Sequence, residues 1–557
     1  MLVLFFNFED LFQKPEVDAK AFKLSLKEVS QEVNVDFVHE NRLQFRKEID
    51  NLLQGLKPFY EAFSASVSVV DINQDGWSDF FVPSTKRGSR SHLYINTGHG
   101  RFVEKARDYA LDLLPEPVRA GFFDCDNDGE PEMLLTTNHC PILYKKDSLG
   151  QYKKIYKFPE PCQMSTAFNI FDYNRDGYLD LSVAAFSHIV PNNWHNSNNG
   201  PGGVVFYKNE GQCRFSRDTK DLNERNRRFT HAIGVVDSRN KERQDLWAAT
   251  DFNLDRIFFQ KDDDSYEQAD EILYNSKAHN GMSVEPYYLS GDSYPSVFIS
   301  QVYQPRYAVT GNQLWTFDGH KFVDSAKEQG VNKCGWAWGA LFEDLNNDGR
   351  PDLIVSNGFI SGDPQNQYWS MMNRFAPSSR RYLSNSINWR PVNNTTWSGH
   401  ERDCVFMNTP KGFVNVSEAI DFDKDKLDGR GLVSIDLLNN GKLSVIVANQ
   451  KQKLNFYKNE TPSEGHWIGF RLIGKTSNRD GIGTKIKLKL ENGNTLVRAH
   501  YPFNGYSAQK SSKIHFGLGP YKVAEVIVHW TNGLQEKYLN PKLDAYHSLE
   551  EGQGVAL

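Results

Sequence analysis

The 557-residue chain lacks most of the features that identify a protein quickly. No apolar run reaches the roughly 20 residues that a membrane-crossing helix needs. The formal net charge is −6, so there is no basic excess to attract nucleic acid. The six cysteines, Cys125, Cys140, Cys162, Cys213, Cys334 and Cys404, are scattered, with no CxxC pair and no zinc spacing. Cys140 and Cys162 flank a hairpin-like segment and would pair in an oxidising compartment; free or buried thiols are the equal alternative. The opening MLVLFFNFEDLF has no basic start and no small-residue cleavage site after it, which makes it a poor secretion signal. Either the chain is intracellular or a leader is missing. GxSxG, a P-loop, a helix-opening GxGxxG and HExxH are absent too, so the reading leans away from an enzyme and leaves the catalytic residues unknown.

What is abundant favours β-structure: 13% aromatic residues, 41 glycines and many Asp/Asn-rich turns. The stretch DLNNDGRPDLIV from Asp344 places Asp344, Asn346 and Asp348 like the start of an EF-hand loop. Its twelfth position, however, is Val355 in a strand-like run and not the expected bidentate Glu. The same pattern recurs as DINQDGWSDFFV at Asp71, DCDNDGEPEMLL at Asp124 and DYNRDGYLDLSV at Asp172. Weaker copies stand at Asp237, where Arg239 and Lys241 replace ligands, at Tyr288–Ile299, and at Asp436. Between them lie hairpin signatures such as SHLYINTGHGRFVEKARDYAL (91–111) and CVFMNTPKGFVNVSEAI (404–420). Seven strand-rich units at a period of about fifty to sixty residues predict an all-β, seven-bladed β-propeller with four strands per blade.

These loops and hairpins resemble FG-GAP/VCBS repeats, which build seven-bladed propellers in integrin α-chains and bacterial surface proteins. GIGTKIKL (481–488), NGYSAQKSSKIHFGLG (504–519) and VIVHWTNG (526–533) resemble the ASPIC/UnbV domain that follows such a propeller in the cartilage acidic protein family and its bacterial relatives. VDFVHEN (35–41) and LDGRGLVSIDLLNNG (427–441) resemble the segments that open and close that propeller. The resemblance divides the chain into a partly helical lead-in (1–58), a propeller (59–463) with an insertion at 359–402, and a small ASPIC/UnbV-like β domain (464–557). In the lead-in, Leu43, Ile49, Leu52, Leu53 and Leu56 recur at near-helical spacing, and 35–41 offers a strand to close the ring.

Positions 1, 3, 5 and 9 of each intact loop offer only oxygen, the donor that calcium prefers. Four structural calcium sites are expected: Asp71, Asn73, Asp75 and Asp79; Asp124, Asp126, Asp128 and Glu132; Asp172, Asn174, Asp176 and Asp180; Asp344, Asn346, Asp348 and Asp352. The second, with four carboxylates, is expected to bind most tightly; ordinary Asx turns without metal are the bland reading. Ligand contacts are sought in the insertion, at Trp369, Arg374, Trp389 and Trp397, and in the loop 188–203, at His188 and His195; aromatics packed as a lid and exposed loop histidines are the plainer alternatives. The sequons at Asn394, Asn415 and Asn459 are candidate glycosylation sites. The expected function is calcium-stabilised recognition or adhesion of a protein or carbohydrate outside the cytoplasm. The alternative is a natural-product biosynthetic enzyme working on a small molecule at the propeller face or its junction with the C-terminal domain.

Overall fold

The computed structural model describes residues 23–557 except 42–56, 163–164, 166, 187–202, 219–228, 240, 252–253, 270–271, 274–279, 290–293, 305–309, 371–389, 463–464 and 540. The expected lead-in helix around Leu43–Leu56 therefore lies outside the described residues. The described part is nearly all β.

Seven consecutive antiparallel sheets run through residues 67–459. The first contains Val67–Val70, Asp79–Val82, His92–Asn96 and Phe102–Glu104, and the second Pro117–Phe123, Glu132–Thr137, Ile142–Lys146 and Tyr152–Lys157. The third, fourth, fifth and sixth open on Ala167–Phe171, Phe229–Val236, Val284–Tyr287 and Ala340–Glu343. The seventh is built from Gly429–Asp436, Leu443–Asn449 and Asn455–Asn459. Its fourth strand comes from the opposite end of the chain: Leu26–Glu28 pairs antiparallel with Asn455–Asn459. Val35–Asn41 adds one bridge, Val38 to Lys453, in place of the strand expected there.

Burial explains the strand chemistry. First strands such as PVRAGFF are buried on both faces, whereas fourth strands such as FVE bury one residue and expose the rest. Each first strand packs against the next, from sheet three through to seven and from seven back to one and two. Arg119 Nη1 closes the step from two to three by donating to the Phe168 carbonyl (3.1 Å). The result is a propeller-like ring of first strands.

A repeated amide zips neighbouring sheets together. The third-strand Asn96 donates to the Leu437 carbonyl of sheet seven (3.1 Å), Asn209 to Cys125 of sheet two (2.7 Å), and Asn459 to Leu345 of sheet six (2.8 Å). Gln260 does the same to Tyr173 of sheet three (2.6 Å). Asn459 is buried in this role, so the amide nitrogen of that sequon is committed to the fold. Three disulfides, Cys125–Cys213, Cys140–Cys162 and Cys334–Cys404, use all six cysteines and resolve the open choice in favour of pairing.

The C-terminal domain packs a three-stranded sheet on a five-stranded one around Phe470, Leu488, Phe516 and Val526. It also sends residues 500–510 into the ring. Ala508–Gln509 pairs parallel with Val67–Val70. Arg119 Nη2 donates to the carbonyls of Phe503 (2.8 Å) and Ala508 (2.6 Å), and Gln509 exchanges two 2.8 Å bonds with the Phe122 backbone. Asn504 accepts from Val235 N (2.8 Å) and Asn169 Nδ2 (2.8 Å) and donates to the Val235 carbonyl (2.9 Å). Gly505 N reaches the Val284 carbonyl (2.9 Å). At Gly431 of sheet seven a Cβ would stand 2.5 Å from the Ser507 carbonyl oxygen, so only glycine admits the segment there. The axis is filled by the chain itself.

Asn504→Ala would strand the Val235 amide and carbonyl in a dry interior. It is expected to destabilise the protein by about 2–4 kcal/mol, read as a lowered denaturant midpoint; an unchanged midpoint would mean that the inserted segment adds nothing to stability.

Candidate metal centres

All seven first-to-second strand turns lie at one end of the sheets, and six of them share the Asp-initiated loop. The first Asp shapes the turn. Asp71 Oδ1 accepts from Asp75 N (3.0 Å) and Oδ2 from Gly76 N (3.1 Å), and Asp124, Asp172 and Asp344 repeat this with the matching amides. The worn loops keep it: Asp237 accepts from Lys241 N and Glu242 N, and Asp436 from Asn440 N and Gly441 N. The sixth position needs positive φ, +85° at Gly76 and +86° at Gly349. Position 1 is thus an Asx-turn residue whether or not a loop has kept its other ligands.

Position 9 bridges the turn to the third strand. Asp79 accepts from Ile72 N (3.1 Å) and Asn96 N (2.7 Å), Asp180 from Tyr173 N (3.2 Å) and Asn209 N (2.8 Å), and Asp352 from Leu345 N (3.1 Å) and Asn408 N (2.9 Å). Positions 3 and 5 face the same point: Asn73 Nδ2 lies 2.8 Å from Asp75 Oδ2, and Asn346 Nδ2 lies 3.1 Å from Asp348 Oδ2. The structure thus brings the four expected residues of each intact loop together.

The electrostatics say what such loops lack. Burial first, and neighbouring carboxylates after it, push Asp79, Asp124 and Asp172 up to about 7 and raise Asp180, Asp344 and Asp352. Buried carboxylates crowded this closely favour protons or a cation. An all-oxygen set with three carboxylates and an amide fits calcium; Asp71, Asn73, Asp75 and Asp79 would hold it in the first loop, and the matching residues in the third and sixth. Partial charge compensation is already present: Arg471 Nη1 is 3.6 Å from Asp71, Lys208 Nζ is 3.5 Å from Asp176, and Arg350 Nη2 is 2.6 Å from Asp348.

In the Asp237 loop, protein cations take the place of metal. Arg239 Nη2 pairs with Asp245 (2.8 Å), and Lys485 of the C-terminal domain with Asp237 (2.9 Å). The Lys241 side chain was an equal candidate in the sequence, but the second cation comes from Lys485. The Asp124 loop departs from expectation as well. Lys145 Nζ lies 2.7 Å from Asp126, 2.9 Å from Asp128 and 2.7 Å from Glu132. Burial, which would lower Lys145, is outweighed by its bonds to the three carboxylates, while burial first, with the neighbouring Asp126 charge, pushes Glu132 up to about 8. These two directions pull the pair opposite ways; with three acceptors on one ammonium, the charged pair governs. A reading of loop spacing alone misses Lys145, although it stands in the third strand of the same hairpin, ILYKK.

The C-terminal domain covers this end of the ring. Asp124 N donates to Asp480 Oδ2 (2.9 Å), Arg479 N to Asn127 Oδ1 (2.9 Å), Gly519 N to the Asn347 carbonyl (2.9 Å), and Tyr546 Oη to Asp436 Oδ2 (2.8 Å). Between domain and ring lies a cavity of about 90 Å³ lined by Glu285, Glu343, Arg498, His500, Lys510 and Tyr288 among others. Glu285 is 1% exposed; its Oε1 accepts from Lys510 (2.7 Å) and its Oε2 has no partner. Burial holds His500 down at about 3, a neutral imidazole at any ordinary pH.

At the other end of the ring, the insertion fills the axis with aromatics. Trp397, expected as an exposed ligand anchor, is 2% exposed; it stacks on Tyr368 (4.3 Å between centroids) and Phe59 (5.7 Å). The apolar ring is worth more buried here than displayed. Trp369 is half-buried, edge-on to Trp397 (5.3 Å). Buried Arg430 ties the cluster down by donating to the carbonyls of Ala62, Gly358, Gly429 and Phe359 at 2.6–2.8 Å. His188, His195, Arg374 and Trp389 lie outside the described residues.

Residues 474–556 match the family described as ASPIC and UnbV, and residues 71–135 match an FG-GAP-like repeat. No curated protein matches the chain. Among solved structures, BBS1N in its complex with ARL6DN is 10% identical with a TM-score of 0.42, over 72% of this chain and 94% of that one. An Agrocybe aegerita lectin that recognises non-reducing terminal N-acetylglucosamine is 11% identical with a TM-score of 0.39, over 70% and 87%. Virginiamycin B lyase from Staphylococcus aureus is 9% identical with a TM-score of 0.37, over 78% and 99%. Likenesses this distant carry no argument about function.

Calcium and protons are expected to compete at these loops. Carboxylates raised from about 4 to about 7 stabilise the metal-free fold below their unfolded value, and that stability is lost as pH rises through 7. The buried His39, His500 and His515, held near 3, oppose this only once pH falls below the ordinary histidine value of about 6.5. Metal-stripped protein should therefore melt lower at pH 8.5 than at pH 7, and added calcium should raise the midpoint most at pH 8.5. A midpoint that ignores calcium at pH 8.5 contradicts structural calcium.

Proposed function

We propose that this chain, which carries an FG-GAP-like repeat and a C-terminal ASPIC/UnbV domain, is a calcium-stabilised seven-bladed propeller that recognises a protein or carbohydrate partner outside the cytoplasm. The observation that carries this reading is the occupancy of the other surfaces. The loop end of the ring is covered by the C-terminal domain, and the axis is filled by residues 503–509 from one side and by Phe59, Phe359 and Trp397 from the other. A partner is left with the opposite end, where the second-to-third strand connections leave and return. The two longest of these, between Ala184 and Val205 and between Val355 and Cys404, belong to this end. Three disulfides suit an oxidising compartment, as does a fold that draws on calcium. No helix among the described residues is long and apolar enough to cross a membrane.

The enzyme reading draws on the junction cavity, where Glu285, Arg498, His500 and Lys510 converge. Its volume of about 90 Å³ is well below the roughly 300–1,000 Å³ of small-molecule sites. That suits a few ordered waters or a small ion better than a natural-product substrate.

Replacing residues 371–389 by a short Gly/Ser linker is expected to keep the thermal midpoint within about 2 °C, because the anchors Trp397, Tyr368 and Phe359 remain. It should remove binding to whichever extracellular glycans or proteins an array of such ligands identifies for the native chain. Undiminished binding by the linker variant would overturn the assignment of this face.

A further inference from the structure

The four intact loops are alike in their turns but not in what stands across from them. In each sheet the ninth-position carboxylate opens the second strand, and the antiparallel register sets one third-strand residue beside it. Phe80 pairs with Tyr94, so Asp79 faces Ile95; Leu353 pairs with Phe406, so Asp352 faces Met407. Met133 pairs with Tyr144, so Glu132 faces Lys145; Leu181 pairs with Tyr207, so Asp180 faces Lys208. Two loops therefore look onto an apolar side chain and two onto lysine.

The two lysines do different things. Lys208 reaches one carboxylate of its loop, Asp176 at 3.5 Å, and is shared with Glu210 outside the loop at 3.6 Å. Lys145 turns into its loop and spends all three ammonium protons on Asp126, Asp128 and Glu132. Among the described residues, Asp124, Asp126 and Glu132 form the loop cluster in which three carboxylates each bring an oxygen within 4.8 Å of the others. The Lys145 ammonium bonds two of those three carboxylates, Asp126 and Glu132, and adds Asp128. A calcium ion entering this loop would have to displace a cation tethered to the same hairpin.

We propose that Lys145 is the resident cation of the Asp124 loop, so that this loop folds without calcium while the Asp71, Asp172 and Asp344 loops take it. The proposal rests on the calcium reading of those three loops, and it reverses the ranking by carboxylate count. The residue facing position 9 acts as a selector: apolar leaves the loop open to metal, and an inward lysine fills it.

Calcium per chain is counted by equilibrium dialysis and elemental analysis of the full chain, with thermal midpoints measured alongside. Lys145→Met should bind one calcium more than the native chain, melt lower than it in calcium-free buffer, and recover on calcium addition. Asp128→Ala, which removes the fifth-position carboxylate that every intact loop carries, should leave the count unchanged in the native Lys145 background, and it carries the test alone if Lys145→Met does not fold. An equal count for the native chain and Lys145→Met, or a count lowered by one in Asp128→Ala, overturns the proposal while leaving the calcium reading intact. If the native chain binds no calcium at all, that reading fails instead; Lys145→Met then upholds Lys145 as a resident cation by gaining one ion, or overturns it by gaining none.

Discussion

The segment from His500 to Lys510 is the contact on which the rest of the molecule depends. It enters the ring along an axis lined by the first strands, where no water can satisfy a stranded amide. Its polar groups are met by four sheets: Arg119 and Phe122 of the second, Asn169 of the third, Val235 of the fourth and Val284 of the fifth. Arg119 is buried without a carboxylate partner among its contacts; its guanidinium is spent on backbone carbonyls, holding two sheets and the inserted segment at once. The C-terminal domain is therefore part of the propeller-like core.

That placement decides where chemistry and recognition reside. The acidic loops sit beneath the C-terminal domain, whose Arg471, Asp480, Lys485 and Tyr546 touch them directly. Ions bound there would stiffen the turns and the covering contact together. The proposed recognition face is the end that carries the long connections, on a scaffold held by the disulfides and the Arg430 staple.

Much of this was legible in the chain. The recurrence of D-x-[DN]-x-DG-x-x-[DE] located four first-to-second strand turns, and its worn copies at Asp237 and Asp436 two more, because the Asx geometry at position 1 and the positive φ at position 6 leave few residue choices. The hairpin signature located the third and fourth strands, and its Asn proved to be the tie between sheets. What spacing could not supply was anything set by register or by distant chain: Lys145 across from Glu132, Lys485 reaching Asp237, and Leu26–Glu28 completing the last sheet. For Trp397 the sequence left two readings, exposed ligand anchor or packed lid, and Tyr368 and Phe59 closing over it favour the lid.

Hydrogen–deuterium exchange tests the central claim most directly. If residues 503–509 are integral to the ring, their amides should exchange as slowly as those of the first strands 118–123 and 231–236, within the same global opening event. Exchange of 503–509 orders of magnitude faster than those strands would show a loosely docked C-terminal domain and would contradict the account.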